Sequence, residues 1–172
     1  KNVLMLQFKD KKVLVTSGSR GIGESIAVAF ARSGARVAIN YRANEKAAAS
    51  CVRKLTGKGH IALQADIADP AQAASLVEKA IDGLGGLNIV VNNAGIWLSH
   101  PIASVTYSEW NAAWRQTIDT NLIAVASICY CAAQHMIQSG GGRIVNVSSR
   151  GAFRGEPAQP VGRRLLVEVH DA

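Results

Sequence analysis

An α/β fold of three layers, helices on both sides of a mostly parallel sheet, is predicted by three features of this chain. Short apolar runs at residues 12–16, 37–39, 61–65, 87–91 and 143–149 alternate with longer stretches whose apolar residues recur at helical spacing, the βα alternation of a parallel sheet. The runs give way to Gly, Ser, Asn or Asp, which favour tight turns. Composition agrees: 48% of the residues are apolar and 16 are glycine, as expected of a protein with many short turns. The 172 residues suit one domain with enough chain to bury a core.

The first strand, residues 12–16, breaks into Ser17-Gly18-Ser19-Arg20-Gly21 and restarts as a helix at Ile22-Gly23. Small residues at such a turn let phosphates approach the backbone, and the unpaired N–H groups of the helix start attract negative charge. A tight turn with no ligand carries the same pattern. Helix one is expected over Gly21 to Ser33, with Ile22, Ile26, Ala29 and Phe30 as its apolar face and Gly34 as its stop. Strand two, Val37 to Ile39, leads into Asn40, Tyr41 and Arg42. Helix two follows Asn44 as cap and spans Glu45 to Leu55, burying Ala48, Cys51, Val52 and Leu55. Strand three, Ile61 to Ala65, ends in Asp66-Ile67, where Asp66 can cap a turn; Asp69 before Pro70 caps a third helix running to Ile81.

Strand four, Leu87 to Val91, runs into Asn92-Asn93-Ala94-Gly95, and a loop extends from Ile96 to Val105. Thr106-x-x-Glu109 has the form of a capping box that opens the longest helix. Trp110, Trp114, Ile118, Leu122, Val125, Cys129, Ala132 and Met136 keep helical spacing through to Gln138, with Asn121, a poor helix former, in the middle. Gly140-Gly141-Gly142 breaks the chain before strand five, Arg143 to Ser149, whose closing serines put a hydroxyl at the carboxyl edge of the sheet.

The turn after strand one resembles the signature Thr-Gly-x-x-x-Gly-x-Gly of the short-chain dehydrogenase/reductase family in Thr16, Gly21, Ile22 and Gly23. Ser17 stands at the family's first glycine and Gly18 comes after it. Serine takes a positive φ only at a cost; if the turn moves its left-handed residue to Gly18, the cradle survives. Asn92-Asn93-Ala94-Gly95 matches the second hallmark intact, and Thr120-Asn121-Leu122 matches a third. The whole is most similar to the branch containing 3-oxoacyl-carrier-protein reductases.

The resemblance implies a Rossmann-type fold, NADPH-dependent reduction of a carbonyl to an alcohol on a small molecule, and a homo-oligomer, dimer or tetramer. It assigns Ser17, Gly18, Ser19, Arg20, Gly21, Ile22 and Gly23 to the cofactor's diphosphate. Tyr41 and Arg42 go to the ribose, Asp66 and Ile67 to the adenine, and Asn93, Ala94 and Gly95 to close passage of the backbone by the cofactor. For catalysis it implies Ser149, with Ser148 as the alternative, binding the carbonyl, and Asn121, whose backbone carbonyl holds a water; an amide that ties the helix to its neighbours is the other reading of Asn121. No acidic residue follows strand two: Asn40 is neutral, and Arg20 and Arg42 can reach the same point, so NADP(H) is favoured over NAD(H). A solvated loop cation is the other reading of Arg42.

The net charge of +7 comes from scattered Lys and Arg with no run interleaved with aromatics, so no nucleic-acid partner is expected. Cys51, Cys129 and Cys131 are an odd number, and the last two stand two apart on a helix, so they read as small buried apolar groups rather than disulfide or metal ligands. No apolar run is expected to reach the length of a membrane span and no leader precedes the first strand, so a cytoplasmic protein with no membrane partner is expected. Residue 1 is Lys rather than Met, so the natural start is processed, altered or missing.

Past Gly155 the pattern changes. Gly162 stands thirteen residues after Ser149, where the family has its catalytic Tyr, and Leu166 stands four further on, where it has Lys. Without that Tyr, a carbonyl reduction forgoes the ~10²–10⁴-fold that positioned proton transfer supplies, and Arg163 and Arg164 stay protonated near neutral pH and cannot replace it. The resemblance therefore covers residues 8 to 157, an incomplete dinucleotide-binding domain is expected over 1–157, and 158–172 form an atypical tail. Three origins account for the break: a reading-frame change shortly after residue 157, an incomplete chain, or a shortened paralogue. A catalytically inactive dinucleotide-binding module is the alternative to an enzyme.

A sheet truncated after strand five leaves the long helix without its neighbour, and its apolar circumference then needs a cover. Self-association or poor solubility is the expected outcome; analytical ultracentrifugation that finds a clean monomer at high concentration contradicts it.

Overall fold

The computed structural model describes residues 8–149, which form a five-stranded, wholly parallel sheet in the order β3-β2-β1-β4-β5. The strands are β1 (Lys12–Val15), β2 (Arg36–Tyr41), β3 (Ile61–Gln64), β4 (Ile89–Asn92) and β5 (Arg143–Asn146). Helices α1 (Gly21–Arg32), α2 (Glu45–Lys54), α3 (Pro70–Leu84), α4 (Tyr107–Ile118) and α5 (Ala124–Gln138) connect them, with a π turn at Asp119–Ile123 between the last two. The arrangement is the Rossmann type that the alternating pattern predicts.

Alternation along the strands sorts the core into two layers. Val13, Val15, Val37, Ile39, Ile89 and Val91 point toward α1 and α2, while Leu14, Ala38 and Val90 point toward α3 and α5. Both faces are covered, so the central strands β1 and β4 are apolar at nearly every position, as in all-parallel sheets. The outer strands β3 and β5 half-bury only alternate residues.

Helix α1 buries only part of the face that spacing predicted, with Ile26 and Phe30 half-buried against the core. Gly23, Ala27 and Ala31 lie on the sheet, whereas Ile22 is 67% exposed and Ala29 is exposed. Three small residues at four-residue steps allow the helix axis to come closer than an Ile–Phe face would permit, and Phe30 packs instead edge-on to Phe8. Helix α3 runs one turn beyond the expected Ile81, to Leu84, and ends at Gly85 in the left-handed conformation; Leu84 is fully buried, which supports that turn. Strand β5 ends at Asn146 rather than Ser149, although the Val147 N–H still donates to the Asn92 carbonyl at 2.9 Å.

The expected continuous helix from Thr106 is interrupted. The capping box forms, with Thr106 and Glu109 bonded reciprocally, but the π turn adds a residue to one turn and changes the phase of the helix beyond it. Buried positions are Thr117 before it and Ala124, Ile128, Ala132 and Met136 after it; Trp110, Trp114, Ile118, Leu122, Val125 and Cys129 are only partly buried. The 32 residues from Tyr107 to Gln138 are long and apolar enough to cross a membrane, contrary to expectation; 28% of the apolar stretch is buried, and α5 packs on α3 and β4. Ile123, Tyr130 and Ile137, seven apart, lie exposed along one side of the rod. Of the cysteines, Cys51 is buried, Cys129 and Cys131 are half-buried, and all three are free thiols.

Helix starts are capped as predicted at α2 and α3: Asn44 accepts from the Ala47 N–H, and Asp69 accepts from the Ala71 and Gln72 N–H groups. The Gln72 side chain, then the two N–H groups, hold the Asp69 carboxyl below its ordinary value. A depressed carboxyl adds stability above its unfolded pKa and loses it as pH falls through the folded one. The stability gap between wild type and Asp69→Asn in urea denaturation is expected to narrow from about pH 6 to about pH 2, with an unchanged gap as the contrary result.

Candidate functional site

Because the sheet is parallel, the carboxyl ends of all five strands share one edge, and the strand order reverses between β1 and β4. Ligand crevices of open α/β sheets lie at that reversal. Every residue singled out in the turn after β1, after β2, after β3, in the Asn-Asn-Ala-Gly loop and after β5 stands along this edge; Asn121 reaches it from the π turn.

The turn after β1 does not move its left-handed residue to Gly18. Ser17 itself is left-handed, at φ +50°, and Gly18 has no positive φ. Gly18 is needed for space: a Cβ there would stand 2.8 Å from Ile39 Cβ and Cγ2. Gly23 is needed for the same reason, since a Cβ would overlap the Ser17 carbonyl and lie 2.6 Å from Asn93 Nδ2. Gly21 is different, with φ +58° and nothing within 4 Å of where a Cβ would stand, so it faces open space. Arg20 begins α1 with no side-chain cap, unlike Asn44, Asp69 and Thr106 at the starts of α2, α3 and α4. The first N–H groups of α1 are thus left for an external acceptor beside an exposed glycine and the exposed Arg20.

Thr16, 1% exposed, stitches this turn to the β4 loop. Its Oγ1 accepts from the Asn93 N–H at 3.0 Å and the Ala94 N–H at 2.9 Å. The Asn93 amide answers by donating to the Thr16 carbonyl at 3.1 Å and the Ser17 carbonyl at 3.4 Å. Asn93 and Ala94 are half-buried and Gly95 is exposed, which leaves a thin backbone wall beside the crevice. Sequence marked Thr16 only as part of a signature; its hydroxyl between two consecutive N–H groups of a distant loop is a tertiary fact that spacing does not carry.

On the β2 and β3 side, Arg42 is exposed and its Nη1 lies 4.0 Å from Asp66 Oδ2, a loose surface pair. Tyr41 is half-buried beside it. Asp66 caps its own turn by accepting from the Ala68 N–H at 3.1 Å, with its second oxygen toward Arg42. Ile67 is 6% exposed and its side chain belongs to the core, so only its backbone can meet a ligand. Asn40, expected beside the ribose, is 3% exposed and turned inward, which leaves Tyr41 and Arg42 at that end.

Asn121 occupies the π turn and clasps the loop after Gly95. Its Oδ1 accepts from the Ile96 N–H and its Nδ2 donates to the Ile96 carbonyl, both at 2.9 Å. The amide therefore does tie the helix to a neighbour, at a point where the helical ladder is already loosened. Ser148 and Ser149 follow β5 as exposed residues next to the Asn92 register, while Gly162 and Leu166 lie outside the described residues. Beneath the first turn, the Cys51 thiol donates to the Gly18 carbonyl at 3.3 Å; burial, then the negative charge of Glu24, raise its pKa. Among the described residues no group of three or more His, Cys, Asp or Glu could hold a metal ion.

This edge can hold an elongated anion: N–H groups at its centre, the Arg42 guanidinium toward β2, and a thin glycine wall toward β4. The family model described as short chain dehydrogenase matches residues 11–161. The chain is 35% identical over 151 residues to the 3-oxoacyl-[acyl-carrier-protein] reductase FabG of Staphylococcus aureus, covering 87% of this chain and 60% of that protein. It is 38% identical over 154 residues to an L-rhamnose 1-dehydrogenase (NAD(P)(+)) of a Sphingomonas species, covering 88% and 59%. A crystal structure of a short chain dehydrogenase from Burkholderia cenocepacia in complex with NADP is similar with a TM-score of 0.78 and 36% identity, over 88% of this chain and 60% of that one. The chain thus spans about 60% of the length of these relatives.

Removing the Thr16 hydroxyl strands two N–H groups in a half-buried place. Thr16→Val is expected to lower stability by about 1–3 kcal/mol in urea denaturation, and Thr16→Ser to keep most of it. Equal stability of the Val variant and wild type would show that the stitch carries nothing.

Proposed function

The chain belongs to the short-chain dehydrogenase family, and on that premise we propose that it binds NADP(H) in preference to NAD(H) along the carboxyl edge of its sheet, in the service of reducing a small-molecule carbonyl to an alcohol. The observation that carries the reading is the uncapped start of α1 facing open space at Gly21. A diphosphate satisfies N–H groups that no side chain of the helix start satisfies. The residues present fit such a group: Gly21 leaves it room, and Ser17, Gly18, Ser19, Ile22 and Gly23 supply the surrounding backbone.

Arg20 and Arg42 favour a further phosphate on the ribose, since both are exposed guanidinium groups; Asp66 Oδ2, 4.0 Å from Arg42 Nη1, is the carboxylate that such a phosphate would have to displace. Asp66, with Ile67 backbone, would hold the adenine, and Asn93, Ala94 and Gly95 would let the chain pass close to the nicotinamide side. When bound, the nicotinamide supplies the hydride. Ser149 would donate a hydrogen bond to the substrate carbonyl, and the π turn around Asn121 would position the loop on which the reacting groups meet. The relatives' reductase and dehydrogenase activities favour a carbonyl/alcohol pair as the substrate class. Association into a homo-oligomer, dimer or tetramer, is part of the same proposal.

Gly162 and Leu166 at the family's Tyr and Lys positions favour a second reading, binding without turnover. NADPH fluorescence titration beside a carbonyl-reduction assay separates the two. Turnover supports the enzyme, binding alone supports the module, and no binding ends both. Arg42→Glu is expected to weaken NADPH by about tenfold while changing NADH far less; an equal effect on the two cofactors removes the assignment of Arg42.

A further inference from the structure

Among the described residues, only Ser17 and Asp10 combine a side chain with a positive φ. Ser17 bears this cost in the middle of the proposed diphosphate turn, where a glycine would bear none. The reason lies in Asn40, a polar side chain only 3% exposed at the end of β2. Its Oδ1 accepts from the Ser17 N–H at 3.2 Å, and its own backbone carbonyl accepts from the next N–H, that of Gly18, at 2.9 Å. Its Nδ2 donates to the carbonyls of Ala65 at 3.1 Å, Leu63 at 3.4 Å and Tyr41 at 3.3 Å.

This network has one sense. Carbonyls on the β3 side require the NH₂ of the amide, so the oxygen is forced toward the turn. One buried residue thereby takes up two consecutive N–H groups, and the second of them depends on the peptide orientation that the left-handed Ser17 sets. We infer that Asn40 is a positioning residue for the turn: its amide, aimed by the end of β3, holds Ser17 left-handed, so that the chain keeps the shape of a glycine turn with a serine in it. The consequence for the ligand rests on the proposed binding of a dinucleotide; the consequence for the turn does not.

The test is a double-substitution cycle in the full chain with Asn40→Leu, which keeps the branched shape and loses the amide, and Ser17→Gly, which removes the steric cost. In urea denaturation the Asn40→Leu penalty is expected to be larger with Ser17 in place than in the Ser17→Gly background, and an equal penalty in both backgrounds overturns the inference. In NADPH titration Asn40→Leu is expected to weaken binding about tenfold, and Ser17→Gly in the same chain to restore it to within about threefold of wild type. A merely structural Asn40 predicts no such rescue, so affinity that stays lost in the double variant also overturns it. If Asn40→Leu does not fold, Asn40→Ser, whose hydroxyl stops one bond short of the amide oxygen, takes its place in the same cycle. If wild type binds no NADPH, the proposed function fails, and the unfolding cycle alone decides the role of Asn40.

Discussion

A parallel sheet has to bring the turn after its first strand and the loop after its fourth into contact, and here one hydroxyl does so. Thr16 Oγ1 takes the N–H groups of Asn93 and Ala94, and the Asn93 amide returns bonds to the Thr16 and Ser17 carbonyls. The Thr16 N–H still joins the ladder, donating to the Val91 carbonyl at 3.0 Å; beyond it both segments leave their strands and side-chain bonds take over. Bonding to each other lets two irregular segments lie side by side at the reversal of strand order without water between them. Gly23 fits into the same contact, with no room for a Cβ between Ser17 and Asn93.

The two neighbouring connections are fixed by the same device, a side-chain amide spanning a gap that backbone bonding cannot. Asn40 joins the end of β2 to the turn and to β3, and Asn121 joins the π turn to Ile96. Each amide uses both its oxygen and its nitrogen, so its orientation is determined and the segments it joins are held in a single arrangement. The alternating apolar strands supply the two core layers, and these amides then place the loops on top of them.

How much of this was legible in the sequence depended on range. Caps are local, and Asn44, Asp69 and the Thr106–Glu109 box stand where spacing put them. The parallel sheet and the edge that carries the crevice followed from the βα alternation and the glycine turn. Reading failed where a tertiary contact outweighed a local preference. Ser17 took the positive φ that local energetics gave to Gly18, because Gly18 is pressed against Ile39 and the Ser17 N–H is held from β2. Helix α1 turned small residues inward because close approach to the sheet outweighed the area that Ile22 would bury. Asn40 was placed at the crevice by its position in the chain, but strand pleating turns alternate residues inward, and three carbonyls wait there.

The π turn at Asp119–Ile123 has a consequence for how the two halves of the long rod can change. One surplus residue rotates everything beyond it by about 100° relative to a regular helix. The tryptophans of α4 and the sheet-facing alanines of α5 are therefore on different meridians, and neither set constrains the other's spacing. A one-residue deletion between them would regularise the backbone and at the same stroke turn Ile128 and Met136 out of the interior. The local irregularity is thus preserved by the packing downstream of it, and the two halves are free to diverge in sequence so long as the surplus residue stays.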